Sequence, residues 1–263
     1  MAAVLLLPLF SCQSPSSDTP SESAEAAVVV TTDEADPADN TLTEQEKQDG
    51  WELLFDGQST EHWRGAHQSS FPAKGWTIEE GMLIVQSSDG AESQNGGDIV
   101  THEEYSDFEF QVDFKLTEGA NSGIKYFVTE GYDSKKSAIG LEYQLLDDAR
   151  HPDAKLGNNG GGTRTLASLY DLKAAPDNKP VHPIGEWNTA RVVVQDNRVT
   201  HYLNGEKVLE YDRGSNEYKQ LVQASKYQKW EDFGLADQGH ILLQDHGNQV
   251  FFKNIKIRDL SAS

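Results

Sequence analysis

Four segments of the sequence place polar side chains that could do chemistry on one side of a short apolar run. The polar pairs are Asn121 and Lys125, Glu142 and Gln144, Ser168 and Tyr170, and Gln244 and His246. Side chains along a β-strand alternate between its two faces, so each pair shares a face, and positions two apart stand about 7 Å apart. If the four strands are neighbours in one sheet, their polar faces form a pocket that combines a carboxylate, a histidine, an ammonium, amides and a phenol. Such a set can move protons and hold a polar ligand.

A simpler interpretation exists for each of these residues. A Glu, Gln or Lys on the open side of a half-exposed strand is ordinarily only solvated. His246 could simply hydrogen-bond to the backbone of a turn beside Gly247. The agreement of four segments favours a site. Aromatic residues in the connecting segments could stack on a ligand or simply pack in the core of the fold; they include Trp63, Trp230 and Phe233.

The elements around these residues are strand-sized. In Phe108–Leu116 apolar and polar residues alternate strictly, which is typical of a half-buried antiparallel strand. The stretch 75–85 predicts a hairpin, and Asn204-Gly205 favours a type I′ turn. Further strands are predicted at Ile124–Val128, Leu141–Leu146, Ala167–Tyr170, Trp187–Gln195, Arg198–Leu203 and Val250–Arg258. No helical period extends beyond about ten residues, so we expect an all-β, two-sheet sandwich of jelly-roll type.

Composition excludes several classes of function. The 263 residues carry 43 acidic and 22 basic side chains, a formal charge of −21, which argues against nucleic acid as a partner. Cys12 is the only cysteine, so neither an intramolecular disulfide nor a cysteine nucleophile or zinc–thiolate site is expected.

The N-terminus indicates export. Ala2–Phe10 is apolar but too short for a bilayer core, which needs about 20 helical residues. The run Leu9-Phe10-Ser11-Cys12 is similar to a bacterial lipobox, so residues 1–12 predict a lipoprotein signal segment that ends at a lipidated Cys12. An ordinary secretory peptide is the alternative. We therefore expect a periplasmic or surface lipoprotein of the bacterial cell envelope, which meets the membrane through its anchor only.

Residues 13–50 differ in amino-acid composition from the rest of the chain. They contain ten acidic residues and one lysine among Ser, Pro, Thr and Ala, a composition that predicts a disordered, solvated tether. We expect the folded β-sandwich domain to span residues 51–260.

Several motifs in that body carry a family resemblance. They are Trp51–Gly57, Trp63, Asn121–Ile124, Gly140–Asp147, Gly185–Asn188, Asn204-Gly205, Ile241–Gly247 and Phe252–Ile255. In this order they resemble the 3-keto-disaccharide hydrolase family over nearly all of residues 51–260. The resemblance implies a concanavalin A-like sandwich whose concave sheet holds the site, and an activity that cleaves 3-keto-glycosides.

A ketone at C3 would determine the chemistry. It acidifies the C2 proton, and the glycosidic oxygen at C1 is then placed for elimination, with water addition completing net hydrolysis. On this hypothesis either His246 or Glu142 is the base and the other is the acid, while Lys125 or a divalent metal stabilises the enolate. The remaining polar residues would bind substrate hydroxyls; they are Asn121, Gln144, Ser168, Tyr170 and Gln244.

Two alternatives and a cofactor stay open. Glu142 and Asp147 are five positions apart, which places them on opposite strand faces and disfavours an ordinary retaining glycosidase. A non-catalytic carbohydrate-binding module is the chief rival. Glu142 and His246, with Asp147, Asp148 or His151, offer oxygen and nitrogen ligands suited to Ca²⁺, Mn²⁺ or Zn²⁺, although their spacing is not diagnostic.

Overall fold

Two antiparallel β-sheets make up the fold in the computed structural model, which describes Met1 and residues 38–92, 94–131, 138–157 and 161–261. The predicted signal segment, its Cys12 and residues 13–37 of the predicted tether lie outside the described residues, apart from Met1. Within the described part, no helix has the length and apolar character needed to cross a membrane.

The described residues form thirteen strands and two short α-helices. In order they are α1 (Glu44–Gln48), β1 (Trp51–Leu53), β2 (Trp63–Gly65), β3 (Trp76–Glu79), β4 (Met82–Val85), β5 (Ile99–Thr101), β6 (Phe108–Leu116), β7 (Asn121–Glu130), β8 (Ala138–Leu146), β9 (Asn188–Gln195), β10 (Arg198–Leu203), β11 (Glu206–Asp212), α2 (Asn216–Gln223), β12 (His240–Leu243) and β13 (Val250–Asp259). Two 3-10 turns span Pro152–Lys155 and Lys226–Lys229.

The larger sheet has the order β11-β10-β9-β6-β13-β4-β3, with β1 added alongside β13. The smaller sheet has the order β2-β5-β12-β7-β8. Neighbouring strands in both sheets are antiparallel, as in the pairing of β7 with β8. This architecture confirms the predicted all-β, concanavalin A-like two-sheet jelly-roll sandwich.

The core lies between the inner faces of the two sheets. Phe108, Phe110, Val112 and Phe114 on β6 are fully buried, as their alternation predicted. Burying each such side chain contributes about 1.5–3 kcal/mol. Ile124 and its cross-strand neighbours on β8 supply part of the opposite inner face, which turns the alternate residues of β7 and β8 outward.

The end of the predicted tether is folded. Thr43 and Glu46 form a capping box that begins α1, and Glu46 forms an ion pair with Lys256 of β13. Asn40 receives a hydrogen bond from the Asn254 amide, and its own amide donates to Asn254 Oδ1. The prediction of a tether reaching residue 50 is therefore wrong for residues 38–50, because the capping motif and these paired side chains hold them on the larger sheet.

The segment Ala167–Tyr170 is not the strand that was predicted. Only isolated bridges from Leu169 to Tyr143 and to Lys173 are present. Ala167 and Asp171 adopt left-handed backbone conformations, with φ of 64° and 63°, which interrupt extended structure on both sides. The segment instead runs irregularly alongside the edge strand β8, since the Ala167 amide donates to the Gln144 carbonyl and the Tyr170 amide to the Glu142 carbonyl.

Candidate active site

A cavity of about 180 Å³ opens on the outer face of the smaller sheet. This volume holds roughly six water molecules, about the space that one pyranose ring occupies. Every predicted catalytic and substrate-binding residue except Ser168 lines it, although these residues come from two strands, β7 and β8, and two loops. The lining residues are Glu92, Asn121, Lys125, Ala138, Ile139, Gly140, Glu142, Gln144, Tyr170, Lys226, Tyr227, Trp230, Gln244 and His246.

Strand register brings the central residues together. Lys125 of β7 is the cross-strand partner of Glu142 of β8, and Gly123 is the partner of Gln144. A Cβ on residue 123 would collide with Oε1 of Glu142, so the missing side chain at Gly123 provides the space for that carboxylate. The outward residues of β7 and β8 therefore form a floor whose shape depends on one glycine.

Opposite charges meet at this floor. Glu142 is 6% exposed, and burial raises the pKa of its carboxyl, although the ammonium groups of Lys125 and Lys226 oppose that rise. Lys125 Nζ lies 3.6 Å from Asp98 Oδ2. Burial lowers the pKa of Lys125, but the carboxylates of Asp98 and Glu142 outweigh this, so its pKa is raised overall. Lys125 is therefore a cation held within reach of the cavity.

Two amide side chains leave buried acceptors without partners. Gln144 Nε2 donates to Asn121 Oδ1 at 2.9 Å, while Gln144 Oε1 has no hydrogen-bond partner. Gln244 is fixed through its backbone, since its carbonyl accepts from Ser122 Oγ at 2.8 Å, and its Oε1 is also unpartnered. An unpaired buried acceptor costs about 1–3 kcal/mol. Two of them in one cavity indicate a ligand that donates hydrogen bonds, as hydroxyl groups do.

His246 presents a third unpartnered atom. Its Nε2 lies 3.9 Å from Glu92 Oε2, and its buried Nδ1 has no partner. The neighbouring Asp245 fixes this turn, because its carboxylate accepts from the amides of Gly247 and Gly97. In the tautomer with its proton on Nε2, on the side of Glu92, the buried Nδ1 carries a lone pair that can accept a proton.

Loops supply another part of the cavity lining. Tyr170 donates its hydroxyl hydrogen bond to Asp153 at 2.9 Å, so its ring rather than its hydroxyl is offered to the cavity. Lys226 Nζ lies 4.2 Å from the centroid of that ring. Partial desolvation lowers the pKa of Lys226 and outweighs the opposing effect of Glu142.

Sequence reasoning missed Lys226, Tyr227, Glu92 and Asp98. The stretch 225–230 interleaves lysines with aromatic residues, and this was the available signal for the loop wall. Trp230 was named only as one aromatic among several, and it lines the cavity.

Ser168 is placed elsewhere, which contradicts its predicted contact with substrate. Its side chain is fully buried, accepts a hydrogen bond from the Ala175 amide at 2.9 Å and contacts Thr165 Oγ1 at 3.0 Å. The prediction failed because it assumed a regular strand at this segment. Ser168 stabilises the loop that carries Tyr170.

The additional metal-ligand candidates already have partners within the protein, although the ring of His151 lies 6.1 Å from that of His246 between centroids. Asp147 accepts from the amide of Gly119 at 2.8 Å, Asp148 pairs with Lys179 at 2.8 Å, and His151 Nδ1 accepts from a backbone amide. Among the described residues no group of three or more His, Cys, Asp or Glu side chains is arranged to hold a metal. Asp147 therefore does not join Glu142 and His246, and a catalytic divalent metal stays a prediction.

Comparisons with known proteins cover the same body. Residues 50–258 match the sequence profile of the 3-keto-alpha-glucoside-1,2-lyase-like domain. A protein of Bacteroides thetaiotaomicron named 3-keto-disaccharide hydrolase is 38% identical over 234 residues, covering 81% of this chain and 79% of that protein.

Two crystal structures from Parabacteroides distasonis ATCC 8503, both of candidate glycosyl hydrolases, share the fold. The first is 35% identical, covers 85% of this chain and 100% of its own, and has a TM-score of 0.73. The second is 27% identical, covers 80% of this chain and 99% of its own, and has a TM-score of 0.60.

Proposed function

This chain belongs to the 3-keto-alpha-glucoside-1,2-lyase-like family, and on that premise we propose that it is an enzyme that cleaves 3-keto-glycosides, including 3-keto-disaccharides, in the cavity of the smaller sheet. The observation that carries the proposal is the set of three unpartnered polar atoms in one cavity, on Gln144, Gln244 and His246. Their positions suit a hydroxylated ring with an acidic C–H bond.

The reaction begins at C2. A base removes the C2 proton, the C–H electrons form a C2=C3 bond, and the C3 ketone becomes an enolate. When the ketone re-forms, the electrons shift to a C1=C2 bond and the C1–O bond breaks. The departing oxygen takes a proton from an acid, and water addition to the enone gives net hydrolysis.

His246 and Glu142 divide the proton transfers. His246 Nδ1 has a free lone pair when the proton lies on Nε2 beside Glu92, so His246 is the base for C2. Burial raises the pKa of Glu142, which favours its protonated form, so Glu142 is the acid for the departing oxygen.

The other polar groups stabilise the enolate and orient the substrate. Lys125 keeps its charge beside Asp98 and offsets the negative charge that develops on the C3 oxygen. The acceptors of Gln144 and Gln244, with the amide of Asn121, bind ring hydroxyls. Pre-formed partners of this kind need no reorganisation during the reaction.

Matched glycosides with and without the 3-ketone test the proposal. We expect aglycone release, and a transient enone absorbance, from the ketone alone, with loss of deuterium from substrate labelled at C2. Release from both substrates would instead indicate an ordinary glycosidase. Binding without turnover of either would indicate a carbohydrate-binding module and contradict the proposal.

We also propose that Cys12 anchors the protein to the cell envelope by a lipid. The support is the lipobox-like run Leu9–Cys12. Labelled palmitate should be incorporated in the native host and membrane attachment should be lost in Cys12→Ala. Unchanged attachment in that variant would refute the anchor.

A further inference from the structure

A second groove adjoins the cavity and shares Trp230 with it. It has a volume of about 410 Å³ and lies between α2, the turn Lys226–Lys229 and the segment that follows. We call it the α2 groove. The indole of Trp230 therefore forms a boundary that both spaces share.

A disaccharide extends beyond the cavity. About 180 Å³ accommodates roughly one pyranose ring, so the second ring lies outside it. When the keto ring occupies the cavity, which His246 and Glu142 line, the ring that lies outside is the leaving group. The α2 groove meets the cavity at Trp230 and has room to receive that ring.

The chemistry of the α2 groove suits a sugar. The partly exposed Trp230 supplies its aromatic surface, and the buried Phe233 supports that indole with ring centroids 6.4 Å apart. Its rim carries exposed amides, Gln223 and Gln228. An apolar ring face surrounded by hydrogen-bonding side chains is the usual way to hold a pyranose, which has both apolar C–H faces and equatorial hydroxyls.

We propose that the α2 groove is a leaving-group subsite that binds the second sugar ring of a 3-keto-disaccharide. This inference rests on the proposed function, because it names where the departing half of that substrate lies. Trp230 contacts both halves, and Gln223 with Gln228 donate or accept hydrogen bonds only with the leaving ring. The subsite therefore contributes to binding of disaccharides and not to binding of glycosides with a small aglycone.

Kinetics with two substrates test the subsite. The double variant Gln223→Ala, Gln228→Ala should raise KM for a 3-keto-α-linked glucose disaccharide about tenfold, as expected for two hydrogen bonds of roughly 0.7 kcal/mol each. KM for methyl 3-keto-α-glucoside should change less than about twofold. Gln58→Ala, an exposed amide that lines neither space, is the matched control and should change neither value.

Binding measurements separate this inference from the proposed function. Calorimetric titration with the non-oxidised disaccharide and with methyl α-glucoside needs no turnover. The wild type should prefer the disaccharide about tenfold, and the double variant should lose that preference. Equal affinities in the wild type, or equal losses for both ligands in the variant, would overturn the subsite. Failure of the wild type to cleave either ketone would overturn only the proposed function.

Discussion

The outer faces of the two sheets carry similar residue types in different states. On the larger sheet Glu109 receives hydrogen bonds from Arg191 at 2.7 Å and from Arg258, and Asp113 receives one from Thr189 at 2.6 Å. On the smaller sheet Gln144 and Gln244 keep buried acceptors without partners. Arg258 Nε is an exception on the larger sheet, since it is also unpartnered.

The contrast separates a structural polar face from a functional one. The charged groups on the larger sheet already form hydrogen bonds with one another, so few of their donors and acceptors remain for a ligand. Unpaired groups on the smaller sheet carry a desolvation cost in the free protein that a bound substrate removes. The number of unsatisfied atoms, rather than the number of charges, therefore distinguishes the face that does chemistry.

Removing one carboxylate from each face gives the sharpest test. Glu142→Gln should lower kcat/KM at least about a hundredfold, the usual contribution of a general acid. Glu109→Gln should leave kcat/KM unchanged but lower the free energy of unfolding by about 1–3 kcal/mol, because it breaks two charged hydrogen bonds. Steady-state kinetics and urea unfolding measure both effects. A similar loss of activity in the two variants would erase the distinction between the faces.

A smaller loss is expected when the floor of the cavity is filled. Gly123→Ala places a methyl group against Oε1 of Glu142 and pushes that carboxylate from its position. Displacements of about 1 Å can cost up to about a hundredfold in rate, and we expect a loss between tenfold and that limit. The kcat of a folded variant with normal circular dichroism is the readout. Full activity would mean that the position of Glu142 is not important.

Gln244→Leu should separate binding from stability. Leucine has a similar volume and removes the unpartnered Oε1, so the free energy of unfolding should rise by about 1 kcal/mol. At the same time KM for a 3-keto-glycoside should rise about tenfold because a hydroxyl loses its acceptor. Thermal unfolding and kinetics on the same preparation test the pair of effects. A destabilised variant with normal KM would show that Gln244 is structural.

The smallest expected effect is a pH dependence of stability. Because burial raises the folded-state pKa of Glu142, its contribution favours the folded state at low pH and is lost as pH rises through that pKa. Relative to the wild type, Glu142→Gln should thus become more stable at pH 8 than at pH 4. Urea unfolding at the two pH values measures the difference. A pH-independent difference would indicate that Glu142 is not desolvated.

Strand patterns allowed most of the fold and much of the cavity to be predicted from sequence. The two-residue period of β6, β7 and β8 fixes which side chains face outward, and this placed Lys125 and Glu142 correctly beside each other. Irregular segments carry no such period. Ser168 was misplaced because left-handed residues on both sides of it break the strand, and Lys226 was missed because a loop positions it.

The site of attachment of residues 38–50 determines which face of the folded body they cover. Asn254 joins Asp39 and Asn40 to the outer face of the larger sheet, where its amide also reaches Asp113. The cavity opens on the outer face of the other sheet. Residues 38–50 therefore join the folded body on the face opposite the cavity and leave the opening of the cavity uncovered.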